Sequence, residues 1–520
     1  MADWWAAAAR PAGGRSQGAA MTVVADQQVQ GIDPRTGRPV GHPVPATTAD
    51  AVDTAVRAAA AAGERWAATP APQRAGVLEA VADALDAERD ALVAAADRET
   101  ALGTTRLTGE VARTTGQLRM FAGVLRDGGF LDAVLSPADA AAGTPDLRRM
   151  RIPVGPVGVW SASNFPFAFS VAGGDTASAL AAGCGVVVKA HEAHPETSEA
   201  TAAVLRTALT AAGASDGLVG LVHGREAGVA LVDHPLLRAA GFTGSQRGGR
   251  ALADRAAARP RPIPFYGELG SVNPVIVTRA AARARRDEIA TGYAASLTLG
   301  AGQFCTNPGL LVVPDDAELL AAVAAAVSGT AGAPMLTPRM ADTYRDTVQQ
   351  RSALDTLATG RPGDGPQAPA PATWTVPVPR LLAEPDLGEE VFGPAGLVVT
   401  YRDESELAEL AGDLDGSLTA TVHAEPGDRE LVAGLLPVLQ RRAGRLIYNG
   451  WPTGVAVNWA QHHGGPWPAT NAPGFTSVGA RAIDRWLVPV AYQGFPDELL
   501  PPELAEANPY GIPRTVQPGR

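Results

Sequence analysis

The chain has 520 residues, 46% hydrophobic and 19% charged, which excludes overall disorder and leaves room for two or three large α/β units. A formal net charge of -11 sets the protein's field against polyanions, which excludes nucleic acid and points to small-molecule ligands. Cys184 and Cys305 allow no disulfide framework and suit a reducing, cytoplasmic setting, and no apolar run reaches the ~18 residues of a membrane span.

In chain order, residues 1–20 carry an apolar patch between Asp3 and Arg10, too short and wrongly flanked for a signal peptide, and read as a flexible extension. From Thr48 to Trp66, Val52 and Val56 fall four apart before Pro70 and predict a helix. Leu78, Val81, Leu85 and Leu92 form one stripe and predict a second. LRRMRIPV, residues 147–154, and RWLVPVAY, residues 485–492, are extended runs carrying proline. They read as edge strands that build a small oligomerisation element.

Between them, VGVW, GVVVK, LVGLVHG and AAGFTGS alternate with helical stretches, including one expected over residues 167–182 and one from Ser198. This alternation predicts βαβ units and a doubly wound parallel sheet, although no Gly-x-Gly-x-x-Gly fingerprint follows a strand. The expected division is a cofactor-binding domain over 21–268, a second α/β catalytic domain over 269–455 with strands at PVIV, LLVV and LVVT, and a C-terminal return over 456–520. GRPGDGPQAPAPA, residues 360–372, reads as a surface loop in the second domain.

Cys305 stands in GQFCTNPG, a glycine-rich polar loop that suits a nucleophilic thiol, with Gly300 and Gly302 permitting close approach by a ligand. Cys184, in AAGCGVVV, suits a core. Glu268, in GELGSVNP, lies just before the next strand at the boundary between the two units, where clefts form. Asn164, in SNFPF, follows the strand VGVW at the end where such sheets bind ligands. Lys189 ends GVVVK in the same way, and Gly244 and Ser245 turn the next strand into a helix whose free N–H groups suit a phosphate. HEAH at 191–194 is one residue short of zinc-helix spacing, and His462 with His463 has no ligand partners at metal spacing. No metal site is expected, and the histidine pair reads as belonging to a substrate loop or the surface.

The order SNFPF, VVVKA, GFTGS, GELG, GQFCTNPG and EEVFGP resembles the aldehyde dehydrogenase superfamily from about Asp33 to the C-terminus. The resemblance implies NAD(P)-dependent oxidation of an aldehyde to an acid through a thioester on Cys305. Asn164 and the Cys305 N–H would form the oxyanion hole, and Glu268 would serve as the base for deacylation. It further implies that Lys189, Ser245, Glu390 and Phe392 hold the cofactor, and that the assembly is a homodimer or a dimer of dimers. Glu192 resembles an acid that binds the ribose 2'-hydroxyl of NAD, and Arg225 stands where an arginine would favour NADP, so both cofactors are expected. Within the superfamily, NGWPTGV, HHGGPWPAT and the segment from Thr476 resemble the branch that oxidises 2,5-dioxopentanoate and fatty aldehydes. Ala456 and Trp459 depart from that branch near the substrate entrance, and no arginine is assigned to pair a carboxylate. The competing readings are an enzyme that passes the acyl group to coenzyme A and a non-catalytic binding protein on this fold.

Overall fold

Short valine-rich runs bounded by glycine become strands buried on both faces, because each is too brief and too apolar for an amphipathic helix. The computed structural model describes residues 28–517, so the expected extension over residues 1–20 lies outside the described residues. A five-stranded parallel sheet has the spatial order Val219–Val222, Val186–Lys189, Val157–Trp160, Ala239–Thr243, Phe265–Glu268. Strand order reverses beside Val157–Trp160, which opens a crevice at the C-terminal ends of that strand and Ala239–Thr243. Alternation along each strand feeds two cores. Val186 and Val188 pack with Leu180 and Leu205 on one face, while Val187 packs with Val52, Val56 and Leu231 on the other.

A second, seven-stranded sheet has the order Asp355–Thr359, Ala372–Pro377, Ala395–Tyr401, Leu310–Pro314, Val275–Val277, Ser417–His423, Ala443–Tyr448. Only the pairing of Asp355–Thr359 with Ala372–Pro377 is antiparallel. The two proline-bearing runs pair with each other: Leu147–Pro153 lies antiparallel to Leu487–Gln493 in a separate four-stranded sheet. Leu487–Gln493 forms one edge of that sheet.

Thr48 caps the helix Ala49–Ala67 through its side chain, as expected of an N-terminal threonine. The predicted second helix is two, Ala71–Ala87 and Arg89–Thr100, with Leu92 on the latter, although all four stripe residues are buried. The helix expected over residues 167–182 is confined to Gly174–Ala182. Residues 165–173 instead turn about Pro166, and a carboxylate oxygen of Glu110 accepts the N–H groups of Phe167 and Ala168. The proline-rich stretch 360–372 is not wholly superficial. Gln367 and Ala368 are buried, since the Gln367 carbonyl accepts the Met335 N–H and the Ala368 carbonyl accepts that of Gly363. Among the described residues no helix is long and apolar enough to cross a membrane.

Candidate active site

Three left-handed residues, Gly300, Ala301 and Gly302, throw the chain out of the helix Arg286–Thr298 and into the loop that carries Cys305. At Gly302 a Cβ would lie 2.2 Å from the Gly393 backbone, so only glycine fits. The sequence reading gave these glycines to an approaching ligand. Instead, the backbone that follows EEVFGP closes against Gly302, and Arg106 lies against Gly300. Asn273, left-handed itself, fixes the loop further by donating Nδ2 to the carbonyls of Cys305 and Asn307, both at 2.9 Å.

Cys305 is half-buried, and its Sγ lies 3.4 Å from His463 Nε2. The same Nε2 lies 2.9 Å from Glu268 Oε1, and Ser477 Oγ donates to Glu268 Oε2 at 2.6 Å. Donor atoms of Glu268, Cys305 and His463 all lie within 4.8 Å of one another. Glu268 ends the strand Phe265–Glu268, and its backbone bridges to Thr470 of the C-terminal return. Burial pushes the Glu268 carboxyl toward its neutral form, but the His463 charge and the hydrogen bonds from His463, Ser477 and the Cys305 thiol outweigh it. The net direction is downward, toward carboxylate. Burial first, and then the Glu268 charge, hold the Cys305 thiol well above the ordinary thiol range. The resting pair is therefore thiol and carboxylate.

Asn164 is buried in the turn after Val157–Trp160, at the point of strand-order reversal. Its Nδ2 donates to the Gln303 carbonyl at 2.8 Å, which ties it to the thiol loop and leaves its second N–H for an oxyanion. Arg106 donates to the Asn164 carbonyl at 2.7 Å and holds the turn from the other side.

The residues assigned to the cofactor gather along the same edge of the five-stranded sheet. Lys189 ends its strand and donates to the Glu192 carboxylate. Arg225 opens the helix Arg225–Asp233 after the neighbouring strand, exposed and without an ion pair among the described residues. Ser245 caps the helix Gln246–Ala258, its Oγ accepting the Gly248 N–H at 3.3 Å. The Gly244 N–H is spent on the Glu268 carbonyl at 3.0 Å, so Gly244 ties two strands together rather than offering a donor. Glu390 reaches toward Gly270, where an added Cβ would sit 2.9 Å from Glu390 Oε2. Phe392 is half-buried two residues on. A dinucleotide fits this edge on two counts. A thirteen-residue helix follows the Ser245 cap after the strand Ala239–Thr243, and at the end of the neighbouring strand Val157–Trp160 the Ser161 hydroxyl is buried with no partner among the described residues.

His463 corrects the sequence reading most sharply. It is 1% exposed at the centre of the cluster, which removes the surface alternative for it and leaves the loop one. Spacing gave no signal, because its partners lie 195 and 158 residues away. Ser477, Asn273 and Arg106 were also missed; each acts through a contact between distant segments. Cys184 is fully buried with its thiol pushed up to about 12, as suits a core residue.

The aldehyde dehydrogenase family model matches residues 23–466. Two relatives are alpha-ketoglutaric semialdehyde dehydrogenases. One from Azospirillum brasilense is 48% identical over 94% of this chain and 95% of its own length, and one from Acinetobacter baylyi is 41% identical over the same shares. Among solved structures, a 1-pyrroline-5-carboxylate dehydrogenase from Thermus with bound NAD shares the fold at TM-score 0.78 and 21% identity, covering 90% of each chain. The thiol on its left-handed turn, the carboxylate beside it and the dinucleotide edge thus sit on a known scaffold, and the chain belongs to the aldehyde dehydrogenase family, whose members oxidise aldehydes with NAD(P).

Proposed function

We propose that the protein oxidises a short oxo-acid aldehyde of the 2,5-dioxopentanoate type to the dicarboxylic acid, with Cys305 as nucleophile and Glu268 as base. The chemistry rests on one observation: the Cys305 thiol, the Glu268 carboxylate and His463 converge within 4.8 Å. The names of the two relatives support the substrate class.

The thiol must lose its proton before it attacks, and the Glu268 carboxylate, within 4.8 Å of the sulfur and bound to the same His463 nitrogen, is the acceptor at hand. As sulfur bonds to the aldehyde carbon, the carbonyl oxygen gains charge, and the free N–H of Asn164 with the Cys305 N–H stabilises it. NAD(P), when bound, would supply the hydride acceptor for oxidation at the sulfur-bound carbon. Glu268 then returns its proton to solvent, a step favoured by His463 and Ser477, which stabilise the carboxylate. As carboxylate it activates the water that releases the acid. Such a base speaks for water rather than coenzyme A as the acyl acceptor. Lys189, Glu192 and Ser245 would hold the adenosine end of the cofactor, and Glu390 with Phe392 the nicotinamide ribose. We also infer self-association through the edge strand Leu487–Gln493.

A kcat/KM panel of 2,5-dioxopentanoate against acetaldehyde and long alkyl aldehydes, each with NAD and NADP, tests the substrate and cofactor together. We expect 2,5-dioxopentanoate to lead, and clear superiority of acetaldehyde or a long alkyl aldehyde would overturn the assignment. Cys305→Ala should abolish reduced-cofactor formation while leaving cofactor binding by fluorescence titration intact, since only the covalent step is lost.

A further inference from the structure

Buried arginines in this fold find acceptors. Arg74 donates to the Thr69 carbonyl at 2.6 Å, Arg259 donates to the carbonyls of Val232, His234 and Leu237, and Arg485 pairs with Asp175 at 2.6 Å. Arg113 breaks the pattern. Half-buried on the helix Thr104–Asp127, it has its Nε and Nη2 sealed from solvent with no partner among the described residues. Its guanidinium carbon sits 5.5 Å from the Phe165 ring centre and 5.2 Å from that of Phe169. Two aromatic faces orient the group and screen it from water while leaving its hydrogen-bonding edge unmet.

That edge belongs to the substrate site. Phe165 follows Asn164, and the Phe169 ring centre is 6.3 Å from that of His463, which touches Cys305. The charge of Arg113 acts on both the Cys305 thiol and Glu268. The nearest acid on its own helix, Glu110, spends one oxygen on the Phe167 and Ala168 N–H groups. Burial drives Glu110 toward its neutral form, against the charges of Arg106 and Arg113, and no ion pair joins it to Arg113. Arg106, one side of its guanidinium bonded to the Asn164 carbonyl, lies over Phe165 and Phe304 and is already committed to the oxyanion turn. Val455, Val457 and Val478 pack with Phe165, Phe169 and Phe304, so the rest of this wall is apolar.

Guanidinium N–H groups sealed from water without an acceptor carry a desolvation cost, which an incoming carboxylate removes by forming a bidentate pair. We propose that Arg113 is the carboxylate receptor of the substrate site, pairing the acid end of an oxo-acid whose aldehyde end meets Cys305. This rests on the substrate reading above. The five-carbon chain of 2,5-dioxopentanoate spans roughly 5 Å, so its carboxylate stays beside the catalytic cluster.

The test compares kcat/KM for 2,5-dioxopentanoate and for pentanal, an aldehyde of the same length without the acid, in the wild type, Arg113→Met and Arg113→Lys. Arg113→Met should lower the ratio of oxo-acid to pentanal roughly 100-fold, and Arg113→Lys should recover part of it through a single point charge. Glutarate, an inert diacid, should protect Cys305 of the wild type from alkylation and protect Arg113→Met far less. If Arg113→Met slows both aldehydes alike with the ratio intact, Arg113 serves only the field around Cys305 and the proposal falls while the substrate reading stands. If the wild type itself shows no preference for the oxo-acid, the substrate reading falls and takes the proposal with it. Should Arg113→Met fail to fold, Arg113→Lys alone decides, since an unchanged ratio there together with undiminished glutarate protection would overturn the assignment.

Discussion

Cys305 faces a problem that its neighbours both create and solve. Burial and the Glu268 charge keep the thiol protonated at rest, so thiolate must be made by transfer to Glu268 as attack proceeds. His463 controls how readily Glu268 accepts and then releases that proton. Removing its hydrogen bond and charge from a buried carboxylate raises the carboxyl's pKa, so less of the base is ionised at a given pH. In His463→Leu the acidic limb of the kcat profile should therefore move to higher pH, and steady-state turnover at neutral pH should fall roughly tenfold or more. An unmoved limb would show that His463 only packs against the site. Glu268→Gln removes the base from both half-reactions, so the single-turnover burst of reduced cofactor and the steady state should both fall, by roughly 10²–10⁴-fold; a full burst followed by a slow steady state would confine Glu268 to deacylation. At the opposite end of the crevice, Glu192 is tied to Lys189 where the ribose would lie. Glu192→Thr removes a like charge from the place of a 2'-phosphate, and the kcat/KM ratio of NADP to NAD should rise about tenfold or more.

Elements converge on these residues from both ends of the chain. The C-terminal return runs from the strand Ala443–Tyr448 back to the first sheet, supplying His463, Thr470 and Ser477 before the helical turn Ala480–Trp486. Its anchorage is polar. Arg485 pairs with Asp175 in the helix Gly174–Ala182, with both side chains below 10% exposed, and the Trp486 indole donates to Ser178 at 2.8 Å. Arg485→Met leaves Asp175 buried and uncompensated, and stability should fall by about 3–5 kcal/mol, read from denaturant unfolding. A loss under 1 kcal/mol would mean that water enters and solvates Asp175. The helix Thr104–Asp127, which carries Arg106 and Arg113, escaped the sequence reading for an instructive reason. Its buried face mixes Leu107, Val111 and Leu118 with Glu110, Thr114, Thr115 and Gln117, so no clean apolar stripe marks it. Polar groups are tolerated there because the adjoining turn at 165–173 needs partners for its backbone.

At the scale of the whole molecule, a parallel sheet and a mostly parallel one carry the thiol, the carboxylate and the crevice, and a separate four-stranded sheet holds the two proline-bearing runs. Among the described residues the edge strand Leu487–Gln493 keeps one side unpaired, and it exposes Val488, which suits pairing with a second copy. Val488→Lys should shift sedimentation velocity toward a smaller species, and an unchanged species would move the interface elsewhere.

What the sequence determined by itself was the local grammar: strands from short valine-rich runs, the cap at Thr48, the buried stripe from Leu78 to Leu92, and motifs whose order carried the family resemblance. Cys305, Glu268 and Asn164 were legible because each sits in a short motif at an element end, and the structure brings all three to the junction of the sheets. Tertiary structure alone decided the rest. His463 reads as an ordinary histidine until a chain reversal of 195 residues places it on Glu268, and Gly302 reads as room for a ligand until Gly393 fills it. Arg113 is one cation among 43 basic residues until the fold half-buries it against two aromatic rings and leaves its Nε and Nη2 without an acceptor among the described residues. Periodicity and propensity report what a residue does to its own segment, whereas desolvation and charge pairing depend on which distant segment folds against it.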